Sequence, residues 1–267
     1  MLSKLLKHEF RATGRVLIPL YLVLFLSAGL FNLFMHLADN YDLRALEIFR
    51  GLTAFIFGVT VIGAGILTLA LMVYRFYKNY MTDEGYLMFT LPVSTAQLIW
   101  SKLIVALVWS AATAVAILAA ILLATLGQPF WGDLPTLGDL WNSLLTYVPA
   151  GHLAGYVVEA VLTFILSALS SYLMFYAAIA LGHSFANHKV LLSVVFYIVF
   201  SIALQTVTSY AGVYGIVEMA EGDLFEVPTP FVFSHYLLGG AAVAALLVGV
   251  IFYVVTYFTL KKRLNLQ

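Results

Sequence analysis

The sequence predicts an all-α fold, a polytopic membrane protein with six transmembrane helices. Six apolar stretches of about 22 to 25 residues contain no Lys, Arg, Asp or Glu, and each is long enough to cross the hydrocarbon as a helix. They run 16–37, 51–74, 103–126, 160–182, 190–212 and 236–260. Composition agrees: 63% of the residues are hydrophobic and 10% charged, an apolar excess that must face lipid or other helices. Lipid offers a backbone no hydrogen-bond partners, so isolated runs of this length must satisfy themselves as helices.

Charge orients the chain. Lys4, Lys7, Arg11, Arg15, Arg75, Lys78, Lys102, Lys189, Lys261, Lys262 and Arg263 fall on one side of the six stretches, and Arg44 and Arg50 on the other. The positive-inside rule makes the first side cytosolic and puts both termini inside a plasma membrane, as an even number of crossings requires. The acids are distributed oppositely. Asp39, Asp42, Glu47, Asp133, Asp139, Glu159, Glu218, Glu221, Asp223 and Glu226 are outer, while Glu9, Asp83 and Glu84 are inner. They solubilise the outer loops or form an anionic surface for cationic cargo. The chain has no cysteine, hence no disulfide, thiolate or Cys-based metal site. The N-terminal apolar run exceeds a signal peptide's core and no clear small-x-small site follows, so it is expected to stay attached.

The whole chain, residues 1–267, forms one transmembrane domain that opens on a basic amphipathic segment, residues 1–15. Leu2, Leu5, Leu6 and Phe10 recur at helical spacing, with Lys4, Lys7, His8, Arg11 and Arg15 on the other side. That pattern predicts an interfacial elbow helix in the inner headgroup layer, with Pro19 in the first turn of span one.

Residues 81–100 join spans two and three on the cytosolic side. Asp83 and Glu84 suit the start of a short helix whose Tyr86, Leu87 and Phe89 are too apolar to sit free in cytosol. Either the inner leaflet or a docked protein covers them. Pro92 disfavours helix at the preceding residue. Ser94 with Gln97 forms a capping box, with Val93 and Leu98 as its hydrophobic staple. A new helix is therefore expected near Thr95, passing through Trp100 and Lys102 into span three.

Further on, Ala112, Ala116, Ala120 and Ala124 make a small-residue stripe on span three. Ala241, Ala245 and Gly249 repeat it on span six, and Ala54 and Gly58 on span two. Such stripes pack helices of one subunit or form a seam between two. After Pro135, a capping pattern at Thr136 and Asp139 precedes Leu137, Leu140, Trp141, Leu144 and Leu145 on one face, a helix on the outer leaflet. Residues 213–233 are acidic and aromatic, and Pro228 and Pro230 argue against a simple helix there.

Catalysis is poorly supplied. The spans lack the activated Ser, paired acids or charged His that chemistry at membrane depth needs. No His has both a second His and a carboxylate at helical metal-ligand spacing, so no metal site is expected. Nor is there an inverted repeat or a buried ionisable group of the sort that couples a secondary transporter. The mild polar residues within spans, Asn32, Thr60, Thr68, Thr113, Ser167, Ser170, Ser171, Ser193, Gln205, Thr206 and Thr256, suit either a passage for amphipathic cargo or bonds between helices. Gln205 and Thr206 in span five, with Glu159 at the mouth of span four, are the candidate path residues.

The string Glu84-Gly85-Tyr86, then Thr90-Leu91-Pro92-Val93-Ser94 and Lys102, after a basic elbow and two spans, resembles the permease subunits of ABC-2-type ATP-binding-cassette exporters. The resemblance covers the whole chain in its six spans with both ends cytosolic, and only this loop carries a distinctive motif. It implies that Asp83, Glu84, Gly85, Tyr86, Leu87, Phe89, Pro92, Ser94 and Gln97 form a coupling helix that meets an ATPase. The loop with His183, Phe185, Asn187, His188 and Lys189 looks like the family's second, shorter cytosolic contact. No G-x-x-x-x-G-K-[ST] occurs, so this chain is expected to be no enzyme and to bind no cofactor itself, with ATP and magnesium on a separate ATPase subunit. Six spans make half of the family's twelve-helix pore, which implies a homodimer or a related second permease, surrounded by membrane lipids and with no nucleic acid. Relatives of this size resemble exporters of amphipathic or antimicrobial peptides; lipid or hydrophobic drug extrusion fits nearly as well. A non-transporting scaffold or sensor is the alternative of a different class.

Overall fold

The computed structural model describes residues 2–41, 43–90, 92–127, 152–185, 187–221 and 230–262. Among these there is no strand. The helices are α1 (Leu2–Asn40), α2 (Arg44–Met81), α3 (Glu84–Thr90), α4 (Thr95–Thr125), α5 (Leu153–Gly182), α6 (Lys189–Glu221) and α7 (Pro230–Lys262). All except α3 are long and apolar enough to cross a membrane, which makes this an all-helical, multi-pass membrane protein. The expected outer helix over residues 137–145 and Pro228 lie outside the described residues.

The described residues divide into two compact units. The first takes in Met1–Arg75 and Gln97–Pro135, the second Phe76–Ala96 and Thr136–Gln267.

In the first unit, α1 and α2 are an antiparallel hairpin, since Glu9 meets Arg75, Ser27 meets Thr60 and Phe34 stacks on Phe49. Helix α4 runs parallel to α1, because its contacts advance in step: Glu9 with Lys102, Phe10 with Trp109, Tyr21 with Thr113, Asn32 with the Ala124 carbonyl. The small-residue stripe of span three serves this packing. Ala116, Ala120 and Ala124 are buried with Leu24, Ala28 and Ala64 in one cluster. Polar span residues bond between helices here: Thr113 holds both Tyr21 (2.7 Å) and Thr68 (3.0 Å), and Ser27 holds Thr60 (2.7 Å). Asn32 closes the far end by donating to the Ala124 and Leu126 carbonyls at 3.2 and 2.8 Å, satisfying acceptors that the end of α4 leaves open.

In the second unit, α5 and α6 form an antiparallel hairpin, with Gly182 against Ser193 and Phe175 stacked on Tyr197 at 4.4 Å. Helix α7 runs parallel to α5, as the pairs Glu159 with His235, Thr163 with the Leu238 carbonyl and Ser170 with Gly249 show. Within each unit consecutive long helices therefore reverse direction, the pattern that successive membrane crossings require.

Two boundaries differ from expectation. The amphipathic segment 1–15 is helical, but it runs unbroken into span one as α1. At about 1.5 Å per residue this helix is about 58 Å long against a hydrocarbon core of about 30 Å, so its charged first turns project beyond the apolar stretch. No bend is needed, because residues 1–15 contain no proline and are held along α4 by Glu9 on Lys102 and by Phe10 and Gly14 against Trp109. Likewise α6 extends past the end of span five to Glu221, and Pro230 opens α7. Proline is well placed at a first helical position, where its missing N–H is one no helix would use.

Candidate functional site

The segment between α2 and α4 starts from a rigid stem. The last turns of α2 bury Phe76 and Tyr80 completely, and Phe76 lies flat on the equally buried Tyr176 of α5, ring centres 4.0 Å apart. Tyr80 meets Phe76 edge-on at 5.2 Å. This aromatic clasp orders the residues that follow. The Thr82 hydroxyl donates to the Lys78 carbonyl, the Gly85 N–H donates to the Thr82 carbonyl at 2.7 Å, and Glu84 pairs with Lys78 at 3.3 Å. Helix α3 then begins at Glu84, whose carboxylate suits the N-terminal turn.

What α3 presents is apolar. Tyr86 is 52% and Leu87 72% exposed, on a helix bounded by exposed Asp83, Glu84 and Thr90. Gly85 is buried at its base, and the Phe89 side chain lies outside the described set. Pro92, Ser94 and Gln97 are exposed, and α4 starts at Thr95, where the capping pattern placed it.

The stems of this segment end on one carboxylate. Glu9 reaches Lys102 Nζ at 2.6 Å with Oε1 and Arg75 Nε at 3.0 Å with Oε2. Arg75 is the last residue of the first unit before the segment and Lys102 lies just after it. The Glu9 side chain is 7% exposed and that of Lys102 3%. Glu9 precedes the apolar stretch that begins at Val16. Burial alone would raise its pKa, but Lys102 and Arg75 together overturn that and hold the carboxyl below its ordinary range. Glu9 is a functional candidate that the sequence reading counted only as an inner acid. The available signal was its position, a lone acid inside a basic segment.

The second turn, between α5 and α6, presents a different face. His183 is buried: its Nδ1 lies 2.9 Å from the Ile179 carbonyl, and its ring meets Tyr77 edge-on at 5.4 Å. Burial pushes its pKa down and the Lys189 charge acts the same way, against the opposing pull of the Ile179 carbonyl. His183 is thus a brace joining this turn to the last turns of α2. The outward face of the turn is made by Phe185, 48% exposed, with Asn187 and His188; Lys189 is half-buried at the start of α6. His188 sits in the left-handed region, φ 55°, which histidine tolerates better than bulkier β-branched residues.

The candidate path residues are not brought together. Glu159 pairs with the His235 imidazole across α5 and α7, with Tyr156 edge-on to that ring at 5.4 Å. Nothing in their spacing of 76 positions links the two residues in the sequence. Gln205 and Thr206 are exposed on α6. The Thr206 hydroxyl is satisfied by the Ile202 carbonyl at 2.8 Å, whereas the Gln205 amide makes no side-chain bond among the described residues. An amide at mid-span prefers water or another polar chain to lipid. No group of three or more His, Asp or Glu able to hold a metal occurs among the described residues. No protein family, curated protein or solved structure matches the chain.

Proposed function

We propose that this chain is the permease subunit of an ATP-driven exporter of the ABC-2 type, in the plasma membrane with both termini cytosolic, and that α3 and the turn at Phe185 receive a separate ATP-hydrolysing subunit. One observation carries the reading. A short helix with two large exposed apolar side chains is mounted on a stem that is packed against α5 by a buried aromatic stack. Such a part is suited to transmit force: a push on α3 enters the last turns of α2 along the chain and α5 through the aromatic clasp. Closure of two ATPase subunits would rock the helices between inward- and outward-facing arrangements of paired permeases.

Gln205 and Thr206 support a weakly polar path between two such subunits, and amphipathic peptides are the cargo class that this interior suits. The test is uncoupling. Glu84→Ala, or a bulky residue at Gly85, is expected to leave membrane insertion intact while ATP hydrolysis by the assembled complex no longer drives transport in vesicles. Normal transport by both variants would contradict the proposal, and absence of any co-purifying nucleotidase would favour a scaffold or sensor.

A further inference from the structure

A groove of about 460 Å³ opens along the side of the first unit between α1 and α2, lined by Pro19, Leu20 and Val23 from one helix and Leu67, Ala70 and Tyr74 from the other. Its size falls in the range of small-molecule sites, about 300–1,000 Å³. Its walls are almost wholly apolar and it lies within the membrane-spanning stretches, at the end of the unit that carries the bases.

The helical repeat leads a charged stripe into it. Lys4, His8, Arg11 and Arg15 are spaced three or four apart, all exposed, and the same face continues through Pro19 to Val23. None of Lys4, Lys7, Arg11 and Arg15 forms an ion pair among the described residues. Glu9, the one acid in the first 38 residues, is taken by Arg75 and Lys102. The charge of these bases is therefore uncompensated among the described residues of the unit, just before the apolar stretch that begins at Val16. Tyr74, 55% exposed, sits at the same boundary, as interfacial tyrosines do.

We infer that this groove binds one anionic phospholipid, its acyl chain along Leu20, Val23, Leu67 and Ala70 and its phosphate on Arg15 and Arg11. An apolar tail and a negative head match the apolar cleft and basic stripe in that order, and a zwitterionic lipid meets only half of the site. The inference needs only the membrane-spanning fold, and it holds whether or not an ATPase docks on α3.

The test uses the full chain in micelles holding equal amounts of phosphatidylglycerol and phosphatidylcholine with identical acyl chains. Retained lipid is then weighed by native mass spectrometry. The expected result is a preference for phosphatidylglycerol of about fivefold, the scale of one surface base acting on an anionic headgroup. Replacing both bases, Arg11→Gln with Arg15→Gln, should abolish the preference while lipid is still retained. Ala70→Phe should reduce retention of both lipids. As a readout that does not depend on a variant's folding, added phosphatidylglycerol should raise the wild-type unfolding temperature more than phosphatidylcholine does. Equal retention in the wild type, a preference that survives the double Gln variant, or a lipid-free dimer that Ala70→Phe dissociates would each overturn the assignment, the last in favour of a second copy of this chain.

Discussion

Glu9 is the residue on which most depends. Breaking a buried ion pair by removing one partner costs about 3–5 kcal/mol, because the other charge stays buried. Glu9→Gln should therefore lower stability in detergent by that order, and adding Lys102→Met should recover much of it, a pairing that a thermal-unfolding series checks directly. The pH dependence has a definite sign. Glu9 is lowered from 4.5 and His183 from 6.5, so near each value the unfolded chain binds more protons than the folded one, and stability rises with pH. Each contribution is complete above the ordinary value and is lost as pH falls through the lowered one. Unfolding temperature is expected to drop on acidification below about 6.5, and again below about 4.5. His183→Gln should remove the upper step and leave the lower one. Neither residue's role was legible beforehand, because burial and partners at long sequence distance leave no trace in local pattern. Glu9 meets Lys102 only once α1 and α4 lie side by side.

At the scale of elements, the helix-breaking and capping signals were readable where they are chemical and local. Pro92 with Ser94 and Gln97 placed the start of α4, and Asp83 with Glu84 placed α3. Pro230 stands at the first residue of α7, where proline is favourable, whereas inside a helix it would be disruptive. The α5–α6 hairpin depends on a close approach that no motif announced. A Cβ at Gly182 would stand 2.5 Å from the Ser193 nitrogen and 2.7 Å from its Cα. Since those are backbone atoms, Gly182→Ala must push the helices apart, at a cost of about 1–3 kcal/mol. Ser193→Gly should fail to rescue it, which a thermal-unfolding comparison of the single and double variants decides. The Phe76 and Tyr176 stack joins α2's end to α5. Phe76→Ala should cost about 3–5 kcal/mol and also loosen α3, seen as faster amide exchange over residues 82–90.

For the whole molecule, six apolar stretches were enough to give six spanning helices, because spanning is a property of length and composition. How each unit packs was only half legible. The alanine stripe on span three suits close approach, yet only its burial with Leu24 and Ala28 places it inside the chain's own core. The proposed function requires that another polypeptide cover α3. Glu84 is about half exposed, so its pair with Lys78 is worth only about 0–1 kcal/mol, and uncoupling by Glu84→Ala would reflect lost transmission more than lost fold. The most direct measurement exploits the absence of native cysteine: a single Leu87→Cys carrying a photo-crosslinker, activated in native membranes during ATP turnover. If α3 is a coupling helix, the expected product is an adduct with a soluble ATPase whose yield changes between nucleotide states. Adducts with phospholipid alone, in every state, would contradict it.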